Sequence, residues 1–285
     1  MGISIKPFLT LILLLAGSLS FAGEIRHQTF ASDTLDRDYV YNIYLPDGYQ
    51  SSGMDYPVLY LLHGASGTEE SWVGPGGIQQ TADQLIAVGA VKPLIIVIPA
   101  DPNFWWANTK LEAARTAFVQ DLMPHVEDNF RTIEEREGRI ISGYSAGGFG
   151  TVNLVLNNPE LFAAAAPLSP AVYAPIPPQS SSATRQDIFL SDGEFDADVW
   201  RSINWVTFIA SYKQKGIIVP FYINTGDHDR FDIAYHGAVF YQALREHQPD
   251  YTEFRVFDGD HNFAAWGGSI DEAMEYMNQF MAAPR

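Results

Sequence analysis

The sequence predicts an α/β fold, a mostly parallel central sheet with helices on both faces, and three observations carry that prediction. From residue 24 onward, short β-type runs alternate with helical ones. Three of these runs, 57–62, 94–98 and 140–142, are nearly continuous in apolar residues, as strands buried on both faces are. The last of them leads into SGYSAGGFG, residues 142–150, where one serine sits among glycines at the point where a strand should hand over to a helix.

The 285 residues and 47% hydrophobic content suit a sizeable core, with no internal repeat and no linker long enough to divide the chain. Residues 1–22 read as an export signal: Lys6 supplies the positive start, 8–16 the apolar stretch, and Ser20-Phe21-Ala22 a small-x-small cleavage site. The apolar stretch is about ten residues, against the roughly 20 that span a bilayer, so cleavage rather than anchoring is expected. A mature domain over 23–285, secreted or periplasmic, follows. The lack of cysteine excludes disulfides, thiolate metal sites and a cysteine nucleophile. A net charge of -17, more negative once Lys6 is lost, disfavours nucleic acid and anionic membranes as partners.

In chain order, 39–45 alternates as an early strand, and the runs at 57–62 and 94–98 follow it as buried ones. A helix is expected over 112–130 from Ala114, Phe118, Leu122, Val126 and Phe130, with Pro124 kinking or breaking it. After the buried strand at 140–142, a helix over 146–156 follows the serine. Then come a strand at 163–168, a Pro/Ser-rich loop at 174–182 placed to act as a lid or as plain surface, and a helix near 199–212. A strand at 217–224, a helix at 233–245, a strand at 251–257 and a helix at 270–281 complete the alternation.

Gly143-x-Ser145-x-Gly147 fits a sharp strand-to-helix turn that exposes a nucleophilic hydroxyl. Glycine two positions either side lets strand and helix approach closely, and the free N–H groups of the following helix face the place where negative charge would develop. A serine needs a base, and the base a carboxylate. Two clusters after late strands qualify, 225–229 with Asp227, His228 and Asp229, and 258–262 with His261. His261 is the expected base, while Asp227 and Asp229 both remain candidates for the acid. The oxyanion donors expected are the N–H groups of Ala146 and Ala65. Among the seven histidines, His63 reads as structural, and His27, His125, His236 and His247 as surface positions. The competing use of Asp227, His228 and Asp229 is a metal site, although the spacing is irregular. Aromatic residues Phe104, Trp105, Trp106, Tyr144 and Trp266 cluster where substrate could stack, with Tyr144, Trp106 and Trp266 the chosen contacts and Trp105 more of a space filler.

From residue 38 to the C-terminus the chain resembles the branch of α/β-hydrolases that includes S-formylglutathione hydrolase (esterase D), secreted feruloyl esterases and the mycolyltransferases of the antigen 85 group. The resemblance rests on Tyr56-Pro57-Val58-Leu59-Tyr60-Leu61-Leu62-His63-Gly64 with Trp72, on Asp121-Leu122-Met123-Pro124 before Phe130-Arg131-Thr132, and on Gly143-Tyr144-Ser145-Ala146-Gly147-Gly148. It continues through Asn158-Pro159-Glu160-Leu161-Phe162, Leu168-Ser169-Pro170 and Gly259-Asp260-His261. It implies the α/β-hydrolase fold, Ser145 as nucleophile, His261 as base, Asp229 rather than Asp227 as acid, and Ala65 as first oxyanion donor. No cofactor is implied. Members commonly carry Met where this chain has Ala146, and the thioester hydrolases often carry cysteine near the first oxyanion loop, which this chain lacks. The expectation is a serine carboxylesterase acting on a small-molecule or carbohydrate ester, feruloyl or acetyl esters above all. An acyltransferase of the mycolyltransferase type and a non-catalytic binding protein are the alternatives.

Overall fold

The computed structural model describes residues 22–101 and 105–285, so the expected leader up to residue 21, and Phe104, lie outside the described residues. The strands are β1 (Glu24–Ser32), β2 (Arg37–Leu45), β3 (Val58–Leu62), β4 (Ile95–Pro99), β5 (Arg139–Tyr144) and β6 (Ala164–Leu168). A small hairpin, β7 (Leu190–Ser191) and β8 (Glu194–Phe195), precedes β9 (Phe221–Gly226) and β10 (Thr252–Phe257). Eight of these form one sheet in the order β1-β2-β4-β3-β5-β6-β9-β10. The pairings from β4 across to β10 are parallel, and β1 and β2 form the antiparallel margin.

Burial on both faces explains the continuous apolar runs. Along β3, Val58, Tyr60 and Leu62 join the core on one face, while Leu59 and Leu61 join the core on the other. The first core is completed by α1 (Tyr49–Ser52), α5 (Ala146–Asn157), α7 (Trp205–Lys215) and α8 (Ile233–Arg245), the second by α2 (Ile78–Ala87), α9 (Phe263–Gly267) and α10 (Ile270–Asn278). A third cluster, including Trp105, Phe149, Tyr173, Phe189 and Trp200, gathers beyond the ends of β5, β6 and β9. No helix among the described residues is long and apolar enough to cross a membrane.

Several boundaries differ from expectation for identifiable reasons. β1 escaped the sequence reading because it is a margin strand whose residues are mostly exposed or half-buried, leaving little apolar contrast. The helix expected over 112–130 runs as α3 (Ala114–Ala117), a π-turn at Phe118–Leu122 and α4 (Met123–Asn129). Pro124 stays inside it, and the widened turn comes just before, where a missing N–H and a crowding ring disturb the regular ladder. The helix near 199–212 divides into α6 (Ala197–Ser202) and α7 at Asn204, whose buried side chain donates to the Tyr173 carbonyl at 2.7 Å. The segment at 174–182 has no helix or strand until a short 3₁₀ turn begins at Ser182.

Candidate active site

Ser145 stands between β5 and α5 with φ 55° and ψ −115°, a strained conformation for a residue with a side chain. The flanking glycines make that turn possible. A Cβ on Gly143 would lie 2.7 Å from the Gly147 backbone, and one on Gly147 would lie 2.6 Å from the carbonyl oxygens of both Leu62 and His63. Strand β3, strand β5 and helix α5 therefore meet at van der Waals distance only because no side chain intervenes.

Two later loops bring the partners. His261 Nε2 lies 2.9 Å from Ser145 Oγ, and His261 Nδ1 lies 2.6 Å from Asp229 Oδ2. The Asp229 carboxylate is fully enclosed, and its second oxygen accepts the Phe231 N–H at 3.0 Å. Asp227 faces away: half-exposed, it accepts the Gly259 N–H at 3.1 Å. The two loops are zipped together, with Asp227 N donating to Phe257 O and His228 N to Gly259 O. Gly226 serves this close approach, since a Cβ there would come 2.1 Å from Gly259 O. With Asp229 turned inward, the metal set Asp227, His228 and Asp229 does not assemble. His228 instead sits 3.4 Å from Asp227 and from Asp258 on the exposed surface.

His63 shapes the backbone on the other side of Ser145. Its ring is fully buried, and burial lowers its pKa to about 4, so it stays neutral. As the neutral tautomer, Nδ1–H donates to Gly64 O at 2.7 Å, and Nε2 accepts the Asp101 N–H at 2.9 Å. Gly67 N also donates to Gly64 O. In a trans peptide the C=O and the next N–H point in opposite directions, so fixing Gly64 O turns the Ala65 N–H the other way. Gly64 lies against Ser145, since a Cβ there would fall 3.3 Å from Ser145 Cβ. Among the described residues, neither the Ala65 nor the Ala146 N–H is taken by a hydrogen bond.

The aromatic residues divide differently from expectation. Trp106 is 1% exposed, donates its indole N–H to His63 O at 3.1 Å and packs on Gly150, so it cannot offer a face to substrate. Trp105 is equally interior, edge-on to Phe149, Phe189 and Trp200. Tyr144 and Trp266 are 6% exposed and stack on each other at 4.1 Å, with Trp266 edge-on to the His261 ring at 4.9 Å. They pack beside the His261 ring rather than forming an open platform. Phe231, which sequence reasoning missed, meets the other side of His261 at 4.8 Å, and Arg230 lies over Phe231 at 4.8 Å. Its position two residues after Asp229 was the available signal.

Two other histidines are less superficial than expected. His236 is buried and accepts the Ala174 N–H at 3.2 Å, while His247 keeps its Nε2 out of solvent.

The arrangement can deprotonate a serine, hold the resulting imidazolium and receive an oxyanion between two N–H groups. A family model described as "Putative esterase" matches residues 32–277. An endo-1,4-beta-xylanase/feruloyl esterase of Xylanibacter ruminicola is 33% identical over 162 residues, covering 54% of this chain and 22% of that protein. An esterase of Mycobacterium tuberculosis is 38% identical over 119 residues, covering 39% of this chain and 24% of that protein. The matched stretches thus span less than 25% of either relative. Among solved structures, a ferulic acid esterase is similar with a TM-score of 0.79 at 25% identity, over 92% of this chain and 100% of that one. An S-formylglutathione hydrolase from Agrobacterium tumefaciens shares the fold at a TM-score of 0.74 and 20% identity, over 92% and 97% of the two chains.

Proposed function

The chain belongs to the putative esterase family, and from that premise we propose that it is a serine carboxylesterase working through an acyl-enzyme. The observation that carries the reading is the continuous relay from Ser145 Oγ through His261 to Asp229, at 2.9 and 2.6 Å. In the first half-reaction the Ser145 proton passes to His261 Nε2 as Oγ bonds to the ester carbonyl carbon. The oxyanion is received by the Ala65 and Ala146 N–H groups. Collapse expels the alcohol, which takes the proton back from His261 and leaves the acyl group on Ser145. Water then repeats the sequence with the same base and releases the acid.

Feruloyl or acetyl esters of carbohydrates are the proposed substrates. The feruloyl esterase activity named for relatives supports this, as does the half-buried Phe231 ring, which lies against the His261 imidazole at 4.8 Å. Export after cleavage at Ala22 is part of the same proposal, resting on the sequence of residues 1–22.

Ser145→Ala should abolish turnover of aryl and sugar esters while leaving the melting temperature close to the parent's. Hydrolysis persisting in the purified variant would overturn the reading. Adding sugar acceptors separates the alternative, since an acyltransferase would divert the acyl group from water to the added alcohol.

A further inference from the structure

The expected processing point and the first strand meet at Gly23, and several contacts converge there. The Gly23 N–H donates to Asp83 Oδ1 at 2.8 Å, and the Tyr44 hydroxyl donates to the same oxygen at 2.8 Å. Gln79 Nε2 donates to the Gly23 carbonyl at 2.7 Å. Asp83 and Gln79 stand on α2 and Tyr44 on β2, so helix and sheet grip Gly23 together, burying it while Ala22 remains exposed. The position admits only glycine: a Cβ would lie 2.3 Å from the Tyr44 ring and 2.7 Å from Leu45 O. Leader cleavage asks for small residues before the cut, not for glycine after it, so the demand for glycine comes from the fold.

Asp83 is half-buried, and among the described residues no Lys, Arg or His pairs with it. It is a carboxylate with two neutral donors and no cation, aimed at the backbone nitrogen that cleavage would turn into a charged amine. We propose that Asp83, Tyr44 and Gln79 form a binding site for the chain's own processed amino terminus, the α-ammonium of Gly23. An endopeptidase adds water across the Ala22–Gly23 amide. The carboxylate leaves on Ala22, the freed amine takes up a proton, and the amide hydrogen bond to Asp83 becomes an ion pair. The inference rests on the export reading given above.

The test compares a chain beginning at Gly23 with one that keeps Ala22, each with and without Asp83→Asn. At about pH 6 the chain beginning at Gly23 melts about 2 °C higher, the shift typical of roughly one added ion pair in a domain of this size. A paired amine has a raised pKa, so its contribution is full below the ordinary value of about 8 and disappears as pH climbs to about 10. Asp83→Asn abolishes the difference. Equal melting of the two chains at about pH 6, or a difference that survives Asp83→Asn, overturns the inference. Mass measurement of the exported protein judges the export reading separately: a mature chain starting elsewhere removes that premise and the physiological role with it.

Discussion

Asp227 and Asp229 lie two residues apart in one loop, yet one carboxylate is enclosed against His261 and the other staples a neighbouring backbone in solvent. Asp229→Asn should therefore lower kcat by about 10⁴-fold, the cost of losing the group that orients a catalytic imidazole, while Asp227→Asn lowers it by roughly tenfold or less. The reverse order in variants of equal melting temperature would assign the acid to Asp227. A loop turn decides which of two nearby carboxylates points inward, and no local pattern encodes that turn. That Ser145 and His261 meet was readable because glycine spacing and strand-end position mark them. The role given to Trp106 failed because a large ring near the site in sequence was buried under it in space. His63 supplies a pH signature. Its folded pKa is lowered to about 4 by burial, so its contribution to stability is full above about 6.5 and is lost as pH falls toward about 4. His63→Gln should remove about 3 kcal/mol of that pH dependence, read as the difference between parent and variant denaturation curves across this range. A difference that does not change with pH would mean that the ring titrates at the same pH in the folded and unfolded chains.

The irregular turn before Pro124 does more than accommodate a proline. It presents Asp121 to the β1–β2 hairpin, where its carboxylate accepts hydrogen bonds from the Ser32 hydroxyl and from the Thr34 N–H and hydroxyl, the last two at 2.9 Å. One side chain thus ties the antiparallel margin of the sheet to a helix covering its face. Asp121→Ala should cost about 2 kcal/mol, the worth of charge-assisted bonds at a half-buried site, and leave kcat near the parent value. A matching loss of kcat at temperatures where the variant is fully folded would show that the hairpin reaches the catalytic loops. The interior strands were readable because burial on both faces leaves a continuous apolar signature. The margin was not, since β1 earns its place through hydrogen bonds and through Asp121, which is 89 residues from Ser32 in the chain.

Across the whole molecule, 34 acidic residues face 17 basic ones. Raising ionic strength from about 0.01 to 0.15 M shortens the screening length from about 30 to about 8 Å, which weakens self-repulsion in the compact state. The melting temperature should rise over that interval. A flat or falling trend would mean that specific ion pairs, such as Arg139 with Glu127, outweigh the net charge. The contact from Ser145 to His261 also closes a loop of 116 residues, and it needs β9 and β10 docked beside β6 before the two side chains can meet. Local helical turns form faster than long-range strand pairing, so helix content alone does not report this contact. Recovered turnover therefore reports long-range docking of these strands, where circular dichroism reports local helix.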